Sequence, residues 1–177
     1  KDGLDYREVN GQAILRRAAE VAAAGMHGLL LTGSAGTGKT MIAKRIPTIL
    51  PGLTREEDIE ISRIYSICGL LPAGRPLLSE RPFRSPHHTI TSRALAGGGV
   101  PPRPGELSLA SGGVLFLDEL PHFSPFAVEI LRQPLEERKI TVTRVSGNYE
   151  FPADFMMVAA MNLCPCGFYP DRNRCNC

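Results

Sequence analysis

Short, uniformly apolar runs alternate along this chain with apolar residues at helical spacing, and that alternation predicts its elements. Ile14, Ala18, Val21 and Ala22 recur at helical intervals within residues 11–24, and Gly25 is placed to end that helix. Gly28-Leu-Leu-Leu-Thr32 is a short apolar run, as expected of a parallel strand buried on both faces. A helix over 41–46 follows, which Pro47 should end or kink. Thr54-Arg-Glu-Glu57 has the capping-box form, and Ile61, Ile64, Tyr65 and Cys68 then share one helical face, where Cys68 reads as core packing. Residues 70–105 break the pattern. They are rich in Pro, Gly and Arg, contain Gly97-Gly98-Gly99, and read as an irregular insertion of functional rather than idle character.

The regular pattern then resumes. Val114-Leu-Phe-Leu117 is a second buried strand, and Ser124-Pro125 opens a helix as N-cap and first residue, with Pro134 expected to end it. Residues 140–144 alternate as a strand, Ser146-Gly-Asn148 makes a turn, and 149–151 return as a hairpin. A third apolar strand, 155–160, runs into Met161-Asn162. Strands alternating with helices imply an α/β fold with a largely parallel sheet.

Bulk properties narrow the classes. A chain of 177 residues supports one domain with a full core rather than two. Its 43% hydrophobic and 21% charged residues are those of an ordinary globular protein, and a net charge of +2 argues for neither nucleic acid nor a membrane surface. No apolar run approaches the roughly 18 to 20 residues that a membrane span needs. Because the chain opens on Lys1 rather than Met, it reads as a piece of a longer protein, and an absent targeting signal carries little weight.

Chemistry enters with Gly33-Ser34-Ala35-Gly36-Thr37-Gly38-Lys39-Thr40, which satisfies the phosphate-loop pattern G-x-x-x-x-G-K-[ST] between a strand and a helix. Gly33, Gly36 and Gly38 let the backbone curl so that its N–H groups, together with the start of the helix that continues through Met41, converge on phosphate oxygens. Lys39 is expected on the β/γ-phosphates of ATP, and the Thr40 hydroxyl on Mg²⁺. Asp118 and Glu119 end the second strand. In such a site the first carboxylate holds the ion through its water shell, and the second orients the attacking water. Asn162 ends the third strand and reads either as a contact to the γ-phosphate or lytic water, or as a plain strand-end turn residue. ATP as ligand implies a cytoplasmic location.

With these segments in order, the chain resembles an AAA+ ATPase, and more narrowly the magnesium-chelatase-like module of the ComM/YifB family. The residues that carry the resemblance are Val9-Asn-Gly-Gln12, the phosphate loop, Arg81-Pro-Phe-Arg-Ser-Pro-His-His-Thr89, Pro104-Gly-Glu-Leu-Ser-Leu109, Gly113-Val-Leu-Phe-Leu-Asp-Glu-Leu120, Leu131-Arg-Gln-Pro-Leu-Glu136 and Val158-Ala-Ala-Met-Asn-Leu-Cys-Pro-Cys-Gly167. The resemblance implies a three-layer αβα P-loop fold spanning 1–177, a helix-2 insertion within about 70–105, and a hairpin before the sensor strand within about 139–151. It also implies Asn162 as the sensor-1 residue, Val9 to Gln12 beside the adenine, and hexameric rings with ATP at subunit interfaces. The activity implied is a DNA motor for branch migration in natural transformation, or alternatively an ATPase driving magnesium insertion into a tetrapyrrole. The family's arginine finger and helical lid would follow the last residue, and its Lon-like domain would precede the first. Since such a finger supplies about 10³ to 10⁵ in rate, this stretch alone is expected to bind ATP and hydrolyse it poorly.

Three clusters remain. Arg75, Arg81, Arg84, Arg93 and Arg103 face a single acid, Glu80, in their segment, and Lys139 and Arg144 add charge in the hairpin. They read either as paired surface arginines or as cations for a DNA backbone, with Arg84 and Arg144 as the candidates. His87 and His88 have no carboxylate or Cys nearby in sequence, so a structural or substrate-contacting role is expected rather than metal ligation. Cys164-x-Cys166 and Cys175-x-Cys177, with Gly167, Pro170 and Asp171 between them, offer four thiolates for Zn²⁺; reduced thiols and disulfides are the alternatives.

Overall fold

The apolar runs become the interior of one parallel sheet. The computed structural model describes residues 3–177 apart from Arg75, Ser146, Gly167, Phe168, Pro170 and Asn176. Helix α1 (Ala13–Ala24) leads to β1 (Leu29–Thr32), α2 (Lys39–Arg45) and α3 (Arg55–Ile67). Next come β2 (Phe83–Arg84), α4 (Ser92–Ala96), the small ribbon β3 (Gly97–Gly98) and β4 (Arg103–Pro104), and α5 (Glu106–Leu109). The chain then forms β5 (Val114–Leu117), α6 (Pro125–Ile130), α7 (Arg132–Glu137), the hairpin β6 (Lys139–Arg144) and β7 (Gly147–Pro152), and β8 (Met156–Met161).

The main sheet has the order β1-β8-β5-β2, and every neighbouring pair in it is parallel. Period-two alternation divides its side chains between two cores. Val114, Phe116, Met156, Val158 and Ala160 pack with Leu31 against α1 and α2, while Leu115, Leu117 and Ala159 pack against Leu95, Leu107, Phe123 and Ala127 from α4 to α6. Helices on both faces of a parallel sheet make the expected three layers. Gly113 permits the β2–β5 approach, since a Cβ there would collide with the Pro82 carbonyl oxygen.

Several local expectations are corrected. Helix α1 starts at Ala13 and turns Leu15, Ala19, Ala22 and Ala23 inward, leaving Ile14, Ala18 and Val21 exposed. Alanine at nearly every turn offers more than one apolar face, and the smaller residues take the closest packing. The end expected at Pro47 is found, by contrast: α2 stops at Arg45 and the chain continues as a 3₁₀ turn, Ile46–Thr48. Pro134 does not stop a helix; the break falls at Leu131, so that Pro134 sits in the first turn of α7, where a missing N–H costs nothing. Residues 70–105 are not irregular throughout, because Phe83–Arg84 is the edge strand of the main sheet. Two residues of strand are too short to carry a legible pattern. In the hairpin, Gly147 and Asn148 belong to β7, paired with Arg144 and Thr143, and the expected turn falls partly on Ser146, outside the described residues. Cys68 is only half-buried, its Sγ 3.8 Å from the Pro104 carbonyl.

Two arginines of the Arg-rich stretch hold this architecture together. Arg81, its side chain only 8% exposed, donates to Glu57 (3.1 Å) and to the carbonyls of Gly112 and Pro51 (both 2.6 Å). Arg84 grips Glu106 with two parallel bonds of 2.6 and 2.7 Å. That bidentate geometry, half-buried beside Tyr65, corrects the expectation that Arg84 is a cation offered to DNA.

Glu57 completes the capping box of α3 with Thr54. Burial raises its pKa, but the Thr54 N–H and Arg81 outweigh that effect, so the carboxyl titrates below its ordinary 4.5. A depressed pKa means that the carboxylate's stabilisation is complete above the unfolded value and lost as pH falls through the folded one. Glu57→Ala should therefore destabilise the protein near pH 7, with the gap from wild type closing below about pH 4, as read by urea unfolding across pH. A gap independent of pH would contradict this.

Candidate nucleotide-binding site

Register in the parallel sheet decides which loops meet. Thr32 pairs with Met161 and Leu117 with Ala159, so Gly33, Asn162 and Asp118 emerge side by side at the carboxyl edge. The loop 33–40 leaves β1 with the Gly33 N–H bonded to the Met161 carbonyl at 3.3 Å. Gly36 (φ 78°) and Gly38 (φ 84°) take the left-handed conformation that lets the loop curl back on itself.

Side chains from all three strand ends interlock. The Lys39 ammonium donates to the Gly33 carbonyl (2.9 Å), the Ser34 carbonyl (2.8 Å) and Asn162 Oδ1 (3.2 Å). Thr40 Oγ1 donates to Asp118 Oδ2 at 2.8 Å, and the Glu119 N–H donates to Asp118 Oδ1 at 3.0 Å. Thr37 Oγ1 closes the loop on the Ser34 carbonyl at 2.9 Å. Ala35, Gly36, Thr37, Gly38, Lys39, Thr40 and Met41 line one cavity of about 350 Å³ with Asp118, Glu119 and Asn162. Lys39 and Asp118 thus share one concave surface. A hydroxyl and a carboxylate oxygen held together are hard donors of the kind Mg²⁺ takes, so Thr40 and Asp118 fit that ion.

A wider, mostly apolar hollow of about 720 Å³ opens behind the loop, between Gln12, Ile14 and Ala18 on one side and Leu30 and Thr37 on the other. Gln12 Nε2 donates to the Thr37 carbonyl at 2.7 Å and so ties the amino-terminal segment to the phosphate loop. Val9 lies within the core, 1% exposed, and its side chain does not line this hollow. Gln12, rather than Val9, is the side chain of that segment brought to the site.

Sequence reasoning missed the company kept by Glu119. His88 Nδ1 lies 3.6 Å and His122 Nδ1 3.3 Å from Glu119 Oε2, and the His88 ring lies tilted by 35° against His87 with centroids 4.0 Å apart. The reading of His87 and His88 as lacking a carboxylate neighbour held for the sequence alone; in space the segment after β2 reaches the end of β5. β2 and β5 are adjacent and parallel, with Arg84 in register with Leu115, and no signal in the sequence displays that adjacency.

The four terminal cysteines also converge. Cys164 Sγ is 3.3 Å from Cys166 and 3.7 Å from Cys175, and Cys166 is 3.5 Å from Cys175. With Cys177, all four sulfurs lie within 4.8 Å of one another, and none is in a disulfide. A backbone hydrogen bond from Cys177 lowers the Cys175 pKa, but contacts with Cys166 and Cys164 prevail and push it up to about 11. The Gly167 and Pro170 of the expected knuckle lie outside the described residues.

Among the hairpin and insertion cations, Lys139 pairs with Glu150 at 2.8 Å. Arg93 and Arg144 instead meet over Gly98, where an added Cβ would contact both, and line a groove of about 560 Å³ between the β3–β4 ribbon and the hairpin. Neither makes an ion pair among the described residues. Val100 and Val145 stand almost fully exposed at the two tips. Among the described residues, no helix is long and apolar enough to cross a membrane.

Residues 5–177 match the family described as magnesium chelatase, subunit ChlI. Competence protein ComM of Haemophilus influenzae is 47% identical over 96% of the chain and 33% of its own length. YifB of Salmonella typhimurium is 46% identical over 97% of the chain and 34% of its own length. The chain thus spans about a third of these relatives. In solved structures, the complex between subunits BchI and BchD of magnesium chelatase gives a TM-score of 0.69 at 21% identity, covering 97% of this chain and 59% of that one. NtrX from Brucella abortus in complex with ADP gives 0.59 at 20% identity, covering 90% of this chain and 32% of that one. These likenesses establish an AAA+ α/β fold, and the sequence matches establish that the chain belongs to the magnesium-chelatase family, with ComM and YifB among its relatives.

Proposed function

We propose that this chain is the ATP-binding core of an ATPase that, in the intact protein, forms a ring, a hexamer by the family pattern, and moves DNA. The observation that carries the first part is the convergence of Lys39, Thr40, Asp118 and Asn162 on one cavity. Lys39 and the loop N–H groups bind the triphosphate, Thr40 and Asp118 hold Mg²⁺, Glu119 orients the attacking water, and Asn162 reports on the γ-phosphate. Mg²⁺ supplies charge neutralisation at the phosphates. In the same reading the terminal cysteines hold zinc, and the protein works in the cytoplasm.

The DNA reading is supported by Arg93 and Arg144, converging on one groove beneath two exposed apolar tips. Phosphate backbones are gripped by such cations without regard to sequence. The 47% identity to a competence protein supports the same reading. The tetrapyrrole alternative shares the family description, but its structural likeness at 21% identity speaks only for the fold.

Lys39→Ala should weaken ATP binding by about 10- to 100-fold, as expected for a lost charge-assisted contact. Glu119→Gln should keep ATP affinity and reduce turnover by about 100-fold or more. Equilibrium binding and steady-state ATPase assays on the full-length protein check both; Lys39→Ala binding like wild type would refute the site. Reversing Arg93 and Arg144 together to Glu should weaken DNA binding and flatten its salt dependence. Unchanged binding, or stimulation of turnover by a porphyrin and not by four-way-junction DNA, would overturn the DNA reading. Arg84→Glu should instead lower stability, because it leaves Glu106 facing a like charge.

A further inference from the structure

We infer that the cysteine cluster is a mononuclear zinc site whose purpose is to position Asn162. This deepens the proposal above and rests on Asn162 acting in ATP hydrolysis.

The ligand geometry comes first. A tetrahedral ion bound by sulfurs at about 2.3 Å sets those sulfurs about 3.8 Å apart. The three separations of 3.3, 3.5 and 3.7 Å lie close to that edge length. They are far longer than the roughly 2.05 Å of a disulfide. They also leave room at the centre for one ion rather than for a multi-iron cluster. Four thiolates select a soft, tetrahedral cation, for which zinc is the ordinary occupant.

The surrounding backbone is arranged for thiolates. The Tyr169 N–H donates to Cys164 Sγ at 3.3 Å, a contact that favours the ionised sulfur. Asp171 turns the chain back, its carbonyl accepting from the Cys175 N–H at 2.8 Å and its Oδ1 from the Asn173 N–H at 3.0 Å.

The link to catalysis is short. Cys164 follows Asn162 by two residues, and Asn162 accepts from Lys39 at 3.2 Å. A cavity of about 260 Å³ joins Glu119, His122, Asn162 and Cys164 in one wall. Beyond Met161 the chain has left β8, and no further regular strand or helix fixes its course among the described residues. An ion that locks Cys164 and Cys166 to Cys175 and Cys177 supplies the missing constraint on the exit of the sensor strand. The cysteines are positioning residues, acting through Asn162.

The full-length protein purified without chelators should hold one zinc per chain. Replacement by Co²⁺ should give the intense thiolate-to-cobalt charge-transfer absorption and the visible d–d bands of a tetrahedral four-sulfur site. Cys166→Ser and Cys175→Ser should each lower bound zinc, leave ATP affinity within about two-fold of wild type, and lower kcat about 10-fold, as Asn162→Ala should. Wild-type protein with no bound metal, a cobalt spectrum lacking thiolate bands, or thiols found paired as disulfides would overturn the site. Full zinc occupancy in wild type with undiminished kcat in the zinc-depleted variants would overturn the positioning role. Absence of turnover in wild type would refute the ATPase reading, while metal content and the cobalt spectrum would still decide the site.

Discussion

Everything at the candidate site depends on three adjacent parallel strands ending at the same level. β1, β8 and β5 contribute Gly33, Asn162 and Asp118 in that lateral order. A parallel ladder one residue out of register would turn Val158 and Phe116 to the opposite core and move every loop with them. Because both faces of the sheet are packed, the register is over-determined by burial, and side chains far apart in sequence meet within hydrogen-bond distance. The Lys39–Asn162 bond spans 123 positions of chain, yet only one strand boundary separates the two in space.

The charged residues divide by the same logic. Arg81 precedes the edge strand and Arg84 ends it, where helices α3 and α5 bring carboxylates against them, and both are committed to the fold. Their geometry is bidentate or multiply bonded, and a guanidinium used in this way offers little to an external phosphate. Arg93, on α4 just before the ribbon, and Arg144, at the end of β6 in the hairpin, make no ion pair among the described residues. Position in the topology, rather than charge count, separates scaffold cations from candidate binding cations.

Much of this was legible in the sequence, for physical reasons that differ by element. Strands β5 and β8 announced themselves because packing on both faces leaves no polar position, and the phosphate loop because its curl requires glycine; β1, expected to be buried in the same way, is instead an edge strand with Leu30 53% exposed. The capping box at Thr54 needed only local bonds and was read correctly. Strand β2 was not readable: two residues cannot show a period, and its place is set by β5. Nor was the inward face of α1 readable, since an alanine-rich helix offers alternatives that only packing resolves. The contact of His88 and His122 with Glu119 depends on strand adjacency, which one sequence does not display.

In the proposed site a magnesium triphosphate lies between the phosphate loop and Asp118. The most direct test of this is the dependence of ATP affinity on Mg²⁺ in wild type and in Asp118→Asn, measured by titration calorimetry with and without the ion. Wild type should bind more tightly when Mg²⁺ is present, and the variant should lose that increment while keeping its ion-free affinity. An identical Mg²⁺ effect in both proteins would contradict the site as built here.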